Sequence, residues 1–167
     1  VRLRRQLETR LGLIAQRART GFIRECHGDL HTRNVARIGN QLTAFDCLEF
    51  EPEFRTIDVA QEVAFLAMDL QVLGRADLAS AFVNGWLAET GDYQAVELLD
   101  LFEAHCALVR AKVCSLSLQR QSVSDQAALR QHRDRYIDQA ATRLARASPE
   151  LILMHGLSGS GKSWLAE

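Results

Sequence analysis

The chain has 167 residues, of which 47% are hydrophobic and 25% are charged, and its formal net charge is -1. These values are typical of a soluble globular protein with a sizeable core and argue against a disordered or fibrous class. The near-zero net charge gives no overall attraction to nucleic acid, and no apolar run approaches the roughly 20 residues of a membrane span, so we expect neither nucleic acid nor membrane as a partner.

The four cysteines are scattered without a CxxC pair, which favours reduced thiols in a cytoplasmic protein. The charged first ten residues are not followed by the apolar segment of an export signal. The chain opens on Val1 and ends a few residues after a phosphate-loop motif, which indicates a piece of a longer protein. We therefore expect a cytoplasmic fragment, and nothing in the sequence indicates its oligomeric state.

The first part of the chain alternates between helical, extended and polar patterns. Apolar residues recur at helical spacing over about 2–19, and Thr20-Gly21 ends this helix. The string FIREC, 22–26, predicts a brief strand, and the polar string CHGDLHTRN that follows it predicts a loop.

The next string, NVARIGNQLTAFD, predicts a β-hairpin around a Gly-Asn turn. A two-residue loop would pair Val35 with Ala44. A three-residue loop would instead pair Val35 with Phe45 and set Asn34 directly opposite Asp46. Apolar cross-strand pairs contribute up to about 1 kcal/mol each, so we expect the three-residue loop.

Four helices are predicted beyond the linker CLEFEPEFR. The first begins at Thr56 or Asp58 and closes at Gly74, and the second ends at Gly91. The third spans about 93–120 and the fourth about 124–147. Ser148-Pro149 then breaks the pattern, which predicts a domain boundary that separates residues 1–147 from residues 148–167.

Some charged residues on these helices have a structural interpretation. Asp58 and Glu62 lie four residues apart on the first of these helices, and Asp58 is expected to cap the helix or to pair with Arg55. Arg110 and Lys112 lie two positions apart on the third helix and so point to different faces. We expect both to be solvated.

The end of the chain reads LILMHGLSGSGKS, an apolar strand followed by the phosphate-loop pattern GxxxxGKS. In such a loop, backbone N–H groups wrap phosphate oxygens, the lysine reaches the terminal phosphates and the hydroxyl binds magnesium. The predicted nucleotide-binding residues are Gly156, Ser158, Gly159, Ser160, Gly161, Lys162 and Ser163, with Ser163 also a metal ligand.

The string CHGDLHTRN admits three interpretations: a metal site, a phosphoryl-transfer loop or a polar turn. His27, Asp29 and His31 are plausible zinc ligands and would support metal-dependent hydrolysis. However, a loop does not place them on one face as a helix would, and no further His or Cys has ligand-like spacing. A loop hydrogen-bonding role is the simpler one for His31.

The phosphoryl-transfer interpretation rests on three residues. Transfer from ATP requires a carboxylate to orient and deprotonate the attacking hydroxyl, and oxygen ligands for magnesium. Protein kinases use an aspartate, an asparagine five residues later and a second aspartate after a hairpin. Asp29, Asn34 and Asp46 follow this order in the strings HGDLHTRN and FDCLEF.

At these strings the chain resembles the aminoglycoside phosphotransferase and choline kinase relatives of protein kinases. With the trailing phosphate loop it is similar to bacterial bifunctional proteins that join such a domain to a P-loop ATP-binding domain. The resemblance implies that Asp29 is the catalytic base, that Asn34 and Asp46 bind magnesium and that His27 braces the loop. It also implies ATP and Mg²⁺ as cofactors and a small-molecule hydroxyl as acceptor.

The expected fold is therefore α+β and mainly helical: the C-terminal lobe of a protein-kinase-like phosphotransferase with a β-hairpin, then the first strand and phosphate loop of an α/β P-loop NTPase domain. The amino-terminal lobe, with its Gly-rich lid and its phosphate-binding lysine, is missing from these residues. We expect this piece alone to be inactive. The alternative is a degenerate kinase-like binding module attached to an active P-loop domain.

Overall fold

The computed structural model describes residues 2–119 and 126–145. The phosphate-loop string and the boundary predicted at Ser148-Pro149 lie outside these residues. The described part is mainly helical, with two small antiparallel sheets. No helix within it is long and apolar enough to cross a membrane.

Five α-helices and four short strands make up this part of the chain. The helices are α1 (Arg2–Arg19), α2 (Val59–Val72), α3 (Ala76–Thr90), α4 (Val96–Leu118) and α5 (Gln126–Ala145). The strands are β1 (Ile23–Glu25), β2 (Val35–Ile38), β3 (Gln41–Ala44) and β4 (Thr56–Asp58). Single 3-10 turns cover Thr32–Asn34, Pro52–Phe54 and Tyr93–Ala95.

The helix boundaries follow the turn signals in the sequence. As predicted, α1 covers 2–19, and Gly91 terminates α3 as its C-cap, where its φ of 68° suits a residue without a side chain. The third predicted helix begins later than expected, because residues 93–95 form a 3-10 turn before α4. Within the described residues, α5 begins at Gln126 and ends at Ala145.

Strand β4 was not predicted, because its three residues were assigned to the linker and to the start of α2. It pairs antiparallel with β1, so that Ile23 lies opposite Asp58. Asp58 ends β4 and caps α2, since its side chain accepts a hydrogen bond from the amide of Ala60 at 2.8 Å. The predicted capping role of Asp58 is confirmed.

The register predicted for the β2–β3 hairpin is wrong. Val35 pairs with Ala44 and Ile38 with Gln41, which leaves a two-residue turn in which Gly39 has a φ of 61°. Ile38 and Leu42 are 65% and 77% exposed, so neither strand gains from matching its apolar side chains to the other. The geometry of the tight turn decides the register instead.

The core lies between α2, α4 and α5. Phe65 and Met68 of α2 pack with a line of small residues on α4 and with Tyr136 of α5. A second buried cluster joins the start of α2 to Leu98 and Phe102 of α4. Cys106 and Cys114 are buried among the apolar side chains of the first cluster, and all four cysteines are free.

Arg17 near the end of α1 is fully buried between two carboxylates. It forms paired hydrogen bonds of 2.7 and 2.9 Å to Asp58 and two of 2.7 Å to Asp92. Its guanidinium lies 4.0 Å from the centre of the Phe22 ring. The predicted pairing of Asp58 with Arg55 is therefore wrong, since Arg55 pairs with Glu25 instead.

Candidate functional site

The first residues of the polar loop, which spans residues 27–34, are held against the linker that precedes β4. Cys26 donates its amide hydrogen to the carbonyl of Arg55 at 2.7 Å. Gly28 has a φ of 82°, and a Cβ there would lie 3.0 Å from the carbonyl oxygen of Phe54 and 3.0 Å from the Cβ of Arg55. Only glycine combines this conformation with so close an approach to the neighbouring chain.

Glu62 on α2 fixes the same turn from the other side. Its Oε2 accepts the amide hydrogen of Gly28 at 2.9 Å, and its Oε1 is buried without a hydrogen-bond partner among the described residues. Burial raises the pKa of the Glu62 carboxyl above 4.5, although the hydrogen bond from Gly28 opposes this rise. Glu62 thus supports the loop from the first turns of α2.

Asp29 follows Gly28 and has a partly accessible carboxylate, with 28% of its side chain exposed. Its Oδ2 lies 3.4 Å from Nε2 of His31, and its Oδ1 lies 3.7 Å from Nη1 of Arg110 on α4. The carboxylate is therefore open to a ligand on one side and oriented by two nitrogen-bearing side chains on the other.

Asn34 connects Asp29 with Asp46. The buried Asn34 side chain donates from Nδ2 to the carbonyl of Asp29 at 3.0 Å and lies 3.5 Å from the carbonyl of Asp46. Asp46 has a φ of 60°, the one positive value among the described residues other than glycine. Such backbone conformations are maintained by their surroundings and concentrate at functional sites.

Asn34 does not lie directly opposite Asp46 as predicted. The pairing is offset by one residue, so that Asn34 faces Phe45. The carbonyl of Asn34 accepts the amide hydrogen of Phe45 at 3.0 Å, and Asp46 follows at the exit of the hairpin. Asn34 and Asp46 nevertheless remain adjacent, because the Asn34 amide reaches across this offset.

His27 joins the polar loop to the segment that contains Asp46. Its Nε2 lies 2.7 Å from the carbonyl of Phe45, and its own carbonyl accepts the amide hydrogen of Leu48 at 3.1 Å. Its other ring nitrogen lies 3.4 Å from the amide of Asp29. His27 thus contacts both segments that carry the predicted site residues.

Asp69 on α2 anchors the end of the loop. Its Oδ2 accepts hydrogen bonds from the Thr32 amide at 2.9 Å and hydroxyl at 2.6 Å, and its Oδ1 accepts one from Tyr136 at 2.8 Å. Burial opposes ionisation of Asp69, but these hydrogen bonds outweigh it and hold the pKa below 3.8. The buried His31 accepts a local hydrogen bond from the Arg33 amide at 3.2 Å.

The side-chain oxygen atoms of Asn34 and Asp46 suit a hard divalent cation as ligands. The Asn34 nitrogen is directed at two carbonyls, which leaves its oxygen free, and no described residue pairs with the exposed Asp46 carboxylate. Carboxylate and amide oxygens are ligands that Mg²⁺ accepts. Among the described residues, no group of three or more His, Cys, Asp or Glu side chains is arranged to hold a metal ion, as the zinc interpretation would require.

Three contributors to this site were missed in the sequence. Glu62 and Asp69 looked like ordinary helix carboxylates, although they lie two turns apart on one face of α2. Arg110 was expected to be solvated, and this is wrong: 13% of its side chain is exposed, and it points at Asp29. The apolar stripe of α4, which includes Ala107 and Ala111, could have shown that Arg110 lies at its edge.

The predicted nucleotide-binding residues Gly156, Ser158, Gly159, Ser160, Gly161, Lys162 and Ser163 lie outside the described residues. The described site therefore consists of the loop 27–34, the segment at Asp46 and their supports on α2, α4 and α5.

Comparison with known proteins finds relatives in mycobacteria. The uncharacterized protein Rv2004c of Mycobacterium tuberculosis and the uncharacterized protein Mb2027c of Mycobacterium bovis are each 37% identical to the chain over 155 residues. The match covers 92% of this chain and 30% of each relative. The chain thus spans about 30% of the length of these relatives. No protein-family profile matches the chain, and no solved structure matches it significantly.

Proposed function

We propose that the described residues form the catalytic lobe of an ATP- and Mg²⁺-dependent phosphotransferase of the protein-kinase-like class, which moves a phosphoryl group to a hydroxyl of a small molecule. The supporting observation is the convergence of Asp29, Asn34 and Asp46. A partly exposed carboxylate lies beside two oxygen donors that no protein group occupies. This is the combination that phosphoryl transfer requires.

In the proposed reaction Asp29 orients the acceptor. Its carboxylate accepts a hydrogen bond from the acceptor hydroxyl, whose oxygen attacks the γ-phosphorus of ATP while the bond from that phosphorus to the β,γ-bridging oxygen breaks. The hydroxyl proton passes to Asp29, and ADP leaves. Asn34 and Asp46 would hold Mg²⁺, which would neutralise part of the charge on the phosphates.

The supports of the loop contribute positioning. His27 joins the segments that carry Asp29 and Asp46, while Glu62 and Asp69 hold the two ends of the loop against α2. A misplacement of about 1 Å in a catalytic group costs on the order of a hundredfold in rate, so buried hydrogen bonds at both ends of the loop favour an active site over a polar turn.

In the whole protein we propose that this lobe acts together with the P-loop ATP-binding domain predicted from Gly156 to Ser163. The relatives, of which this chain spans about 30%, are long enough for several domains of this size. Two nucleotide sites would then serve one polypeptide.

The alternative, a degenerate recognition module, is favoured by one observation. Arg110 lies 3.7 Å from the Asp29 carboxylate and can occupy it in place of an acceptor hydroxyl. If Arg110 holds Asp29 permanently, the lobe binds a ligand without transferring a phosphoryl group, and activity belongs to the P-loop domain.

The two functions are separated by nucleotide turnover of the full-length protein. We expect a hydroxylated acceptor to stimulate ADP release, and Asp29→Asn to reduce the stimulated rate roughly a hundredfold or more. Asp77→Asn, which removes an exposed carboxylate from α3, is the matched control.

Lys162→Ala tests the P-loop domain separately. Unchanged acceptor-stimulated turnover in Asp29→Asn, together with its loss in Lys162→Ala, would refute the phosphotransferase proposal and support the binding module.

A further inference from the structure

A small cleft beside Asp29 is lined by cationic side chains that the proposed chemistry does not use. Its volume is about 110 Å³, and it lies between the loop 27–34, α2, α4 and α5. His31 and Arg110, whose side-chain nitrogens lie within 4 Å of the Asp29 carboxylate, both line it. The cleft therefore opens next to the group that would receive the acceptor hydroxyl.

The charge of this cleft is positive. Arg33, Arg110 and Arg135 line it, and Asp69 is the one acidic residue among its described lining side chains. Both oxygens of Asp69 are already engaged by Thr32 and Tyr136. Asp69 keeps its negative charge, which the three arginines outnumber.

The three arginines differ in their protein counter-ions, since only Arg110 lies near a carboxylate of the described residues, at 3.7 Å from Asp29. Within 2–119 and 126–145, no carboxylate forms an ion pair with Arg33 or Arg135, and the Nε of the mostly buried Arg110 has no hydrogen-bond partner. Arg33 and Arg110 both act electrostatically on the Cys114 thiol in the cleft wall, where they oppose the rise that burial gives to its pKa. The positive charges thus lie on one small region.

The cleft is separate from the proposed nucleotide side of the site. Neither Asn34, nor Asp46, nor any hairpin residue lines it. Its volume is also well below the roughly 300–1,000 Å³ of pockets that enclose a whole small molecule. It has room for one substituent of a ligand, and an arginine cluster selects an anionic one.

We infer that the acceptor carries a carboxylate or phosphate group, which binds in the cleft lined by Arg33, Arg110, His132 and Arg135 while a hydroxyl of the same molecule meets Asp29. This inference rests on the proposed phosphotransferase function. It predicts that hydroxy acids or sugar phosphates are phosphorylated in preference to neutral polyols.

Binding is tested first, without reference to activity. Inorganic phosphate is titrated into the full-length protein and into the double variant Arg33→Gln/Arg135→Gln, with binding followed by calorimetry. We expect the wild type to bind phosphate and the double variant to bind it roughly tenfold more weakly, because two charge-assisted contacts are lost. Equal affinities, or no binding to the wild type, would overturn the inference.

Arg130→Gln is the matched control. Arg130 is an exposed arginine on α5 that contacts Gln126 and does not line the cleft. Its substitution removes one positive charge from the helix that also carries Arg135, so the phosphate affinity should equal that of the wild type. A loss as large as in the double variant would show a diffuse charge effect and contradict a built site.

Turnover then identifies the anion. Acceptors are compared as matched sets of equal carbon number: a neutral alditol, the corresponding hydroxy acid and the corresponding sugar phosphate. We expect one anionic member to have a kcat/KM at least about tenfold above that of the alditol, and the double variant to abolish this preference. Preference for the acid or for the phosphate distinguishes the two groups, and preference for the alditol overturns the inference.

Failure of the two proposals is distinguishable. If Asp29→Asn retains full acceptor-dependent turnover while phosphate binding still depends on Arg33 and Arg135, the phosphotransferase proposal fails and the anion site stands. If Asp29→Asn abolishes turnover but only neutral acceptors are used, the phosphotransferase proposal stands and the anion site fails.

Discussion

Tyr136 of α5 donates its hydroxyl hydrogen to Oδ1 of Asp69 on α2 at 2.8 Å, and Asp69 in turn holds Thr32 of the polar loop. Burial beside the Asp69 carboxylate raises the pKa of Tyr136 to about 12, so the phenol keeps its proton throughout the physiological range. The last described helix is thereby coupled to the loop that carries Asp29.

We expect Tyr136→Phe to lower the free energy of unfolding by about 1–3 kcal/mol, because one oxygen of a buried carboxylate loses its donor. Urea unfolding measures this loss. The control is Tyr93→Phe. Tyr93 is 64% exposed, so the loss of its hydroxyl should change stability little. Amide exchange at Thr32 should also accelerate in Tyr136→Phe, and unchanged exchange there would contradict the coupling.

Arg17→Met should be among the most destabilising substitutions in the chain. It leaves Asp58 and Asp92 buried and facing each other without a counter-ion, a loss of about 3–5 kcal/mol. Thermal or urea unfolding measures this loss. The control is Arg19→Met, which removes an exposed arginine from the same helix end. Adding Asp92→Asn to Arg17→Met should recover part of the loss, and a purely additive double variant would argue against charge repulsion.

Gly28→Ala should destabilise the loop through both its conformation and its contacts. The substituted Cβ would meet the carbonyl of Phe54 at 3.0 Å while the backbone keeps a φ of 82°, and we expect a cost of about 1–3 kcal/mol.

Gly39→Ala separates the conformational cost of the Gly28→Ala substitution from its steric cost. Gly39 also has a positive φ, 61°, but a Cβ there meets nothing within 4 Å. Its substitution therefore measures the conformational cost alone. Chemical denaturation should show a larger loss of unfolding free energy for Gly28→Ala than for Gly39→Ala. Equal losses would show that the contact with the linker contributes nothing to the cost.

Glu62→Gln should change the pH dependence of stability in a defined direction. Because the Glu62 pKa is raised above 4.5 in the folded chain, the folded state holds more protons than the unfolded state between 4.5 and the raised value. The Glu62 contribution is complete below pH 4.5 and is lost as the pH rises through the folded-state pKa. Glutamine keeps an acceptor for Gly28 but cannot ionise.

The difference in unfolding free energy, Glu62→Gln minus wild type, is therefore expected to increase as the pH rises above 4.5. Urea unfolding at a series of pH values measures it, and Glu89→Gln, which removes an exposed carboxylate from α3, controls for the change in net charge. A difference that falls with pH would show that ionised Glu62 stabilises the loop.

Local patterns in the sequence predicted the helices well. The apolar spacing of α1 and the glycines after α2 and α3 located those elements, and the polar loop and hairpin were found in the right order. These features depend on residues close together in the chain, whose periodicity and turn chemistry are directly readable.

Contacts between distant segments were not predictable in the same way. The register of β2–β3 was misjudged because the exposure of Ile38 and Leu42 is a tertiary property. Arg17 pairs with a residue 41 positions away and another 75 away, and Arg110 meets Asp29 from about half the chain away. One sequence carries no direct record of such partners.

The β2–β3 hairpin divides into a free tip and a fixed base. Ile38 and Leu42 at the tip are exposed, whereas Phe45 at the base receives contacts from both Asn34 and His27. A two-stranded ribbon is only marginally stable by itself, so the tip can open on its own while the base opens only with the polar loop. Asp46 therefore belongs to the cooperative unit of Asp29, and bending of the ribbon tip leaves the spacing of the two aspartates unchanged.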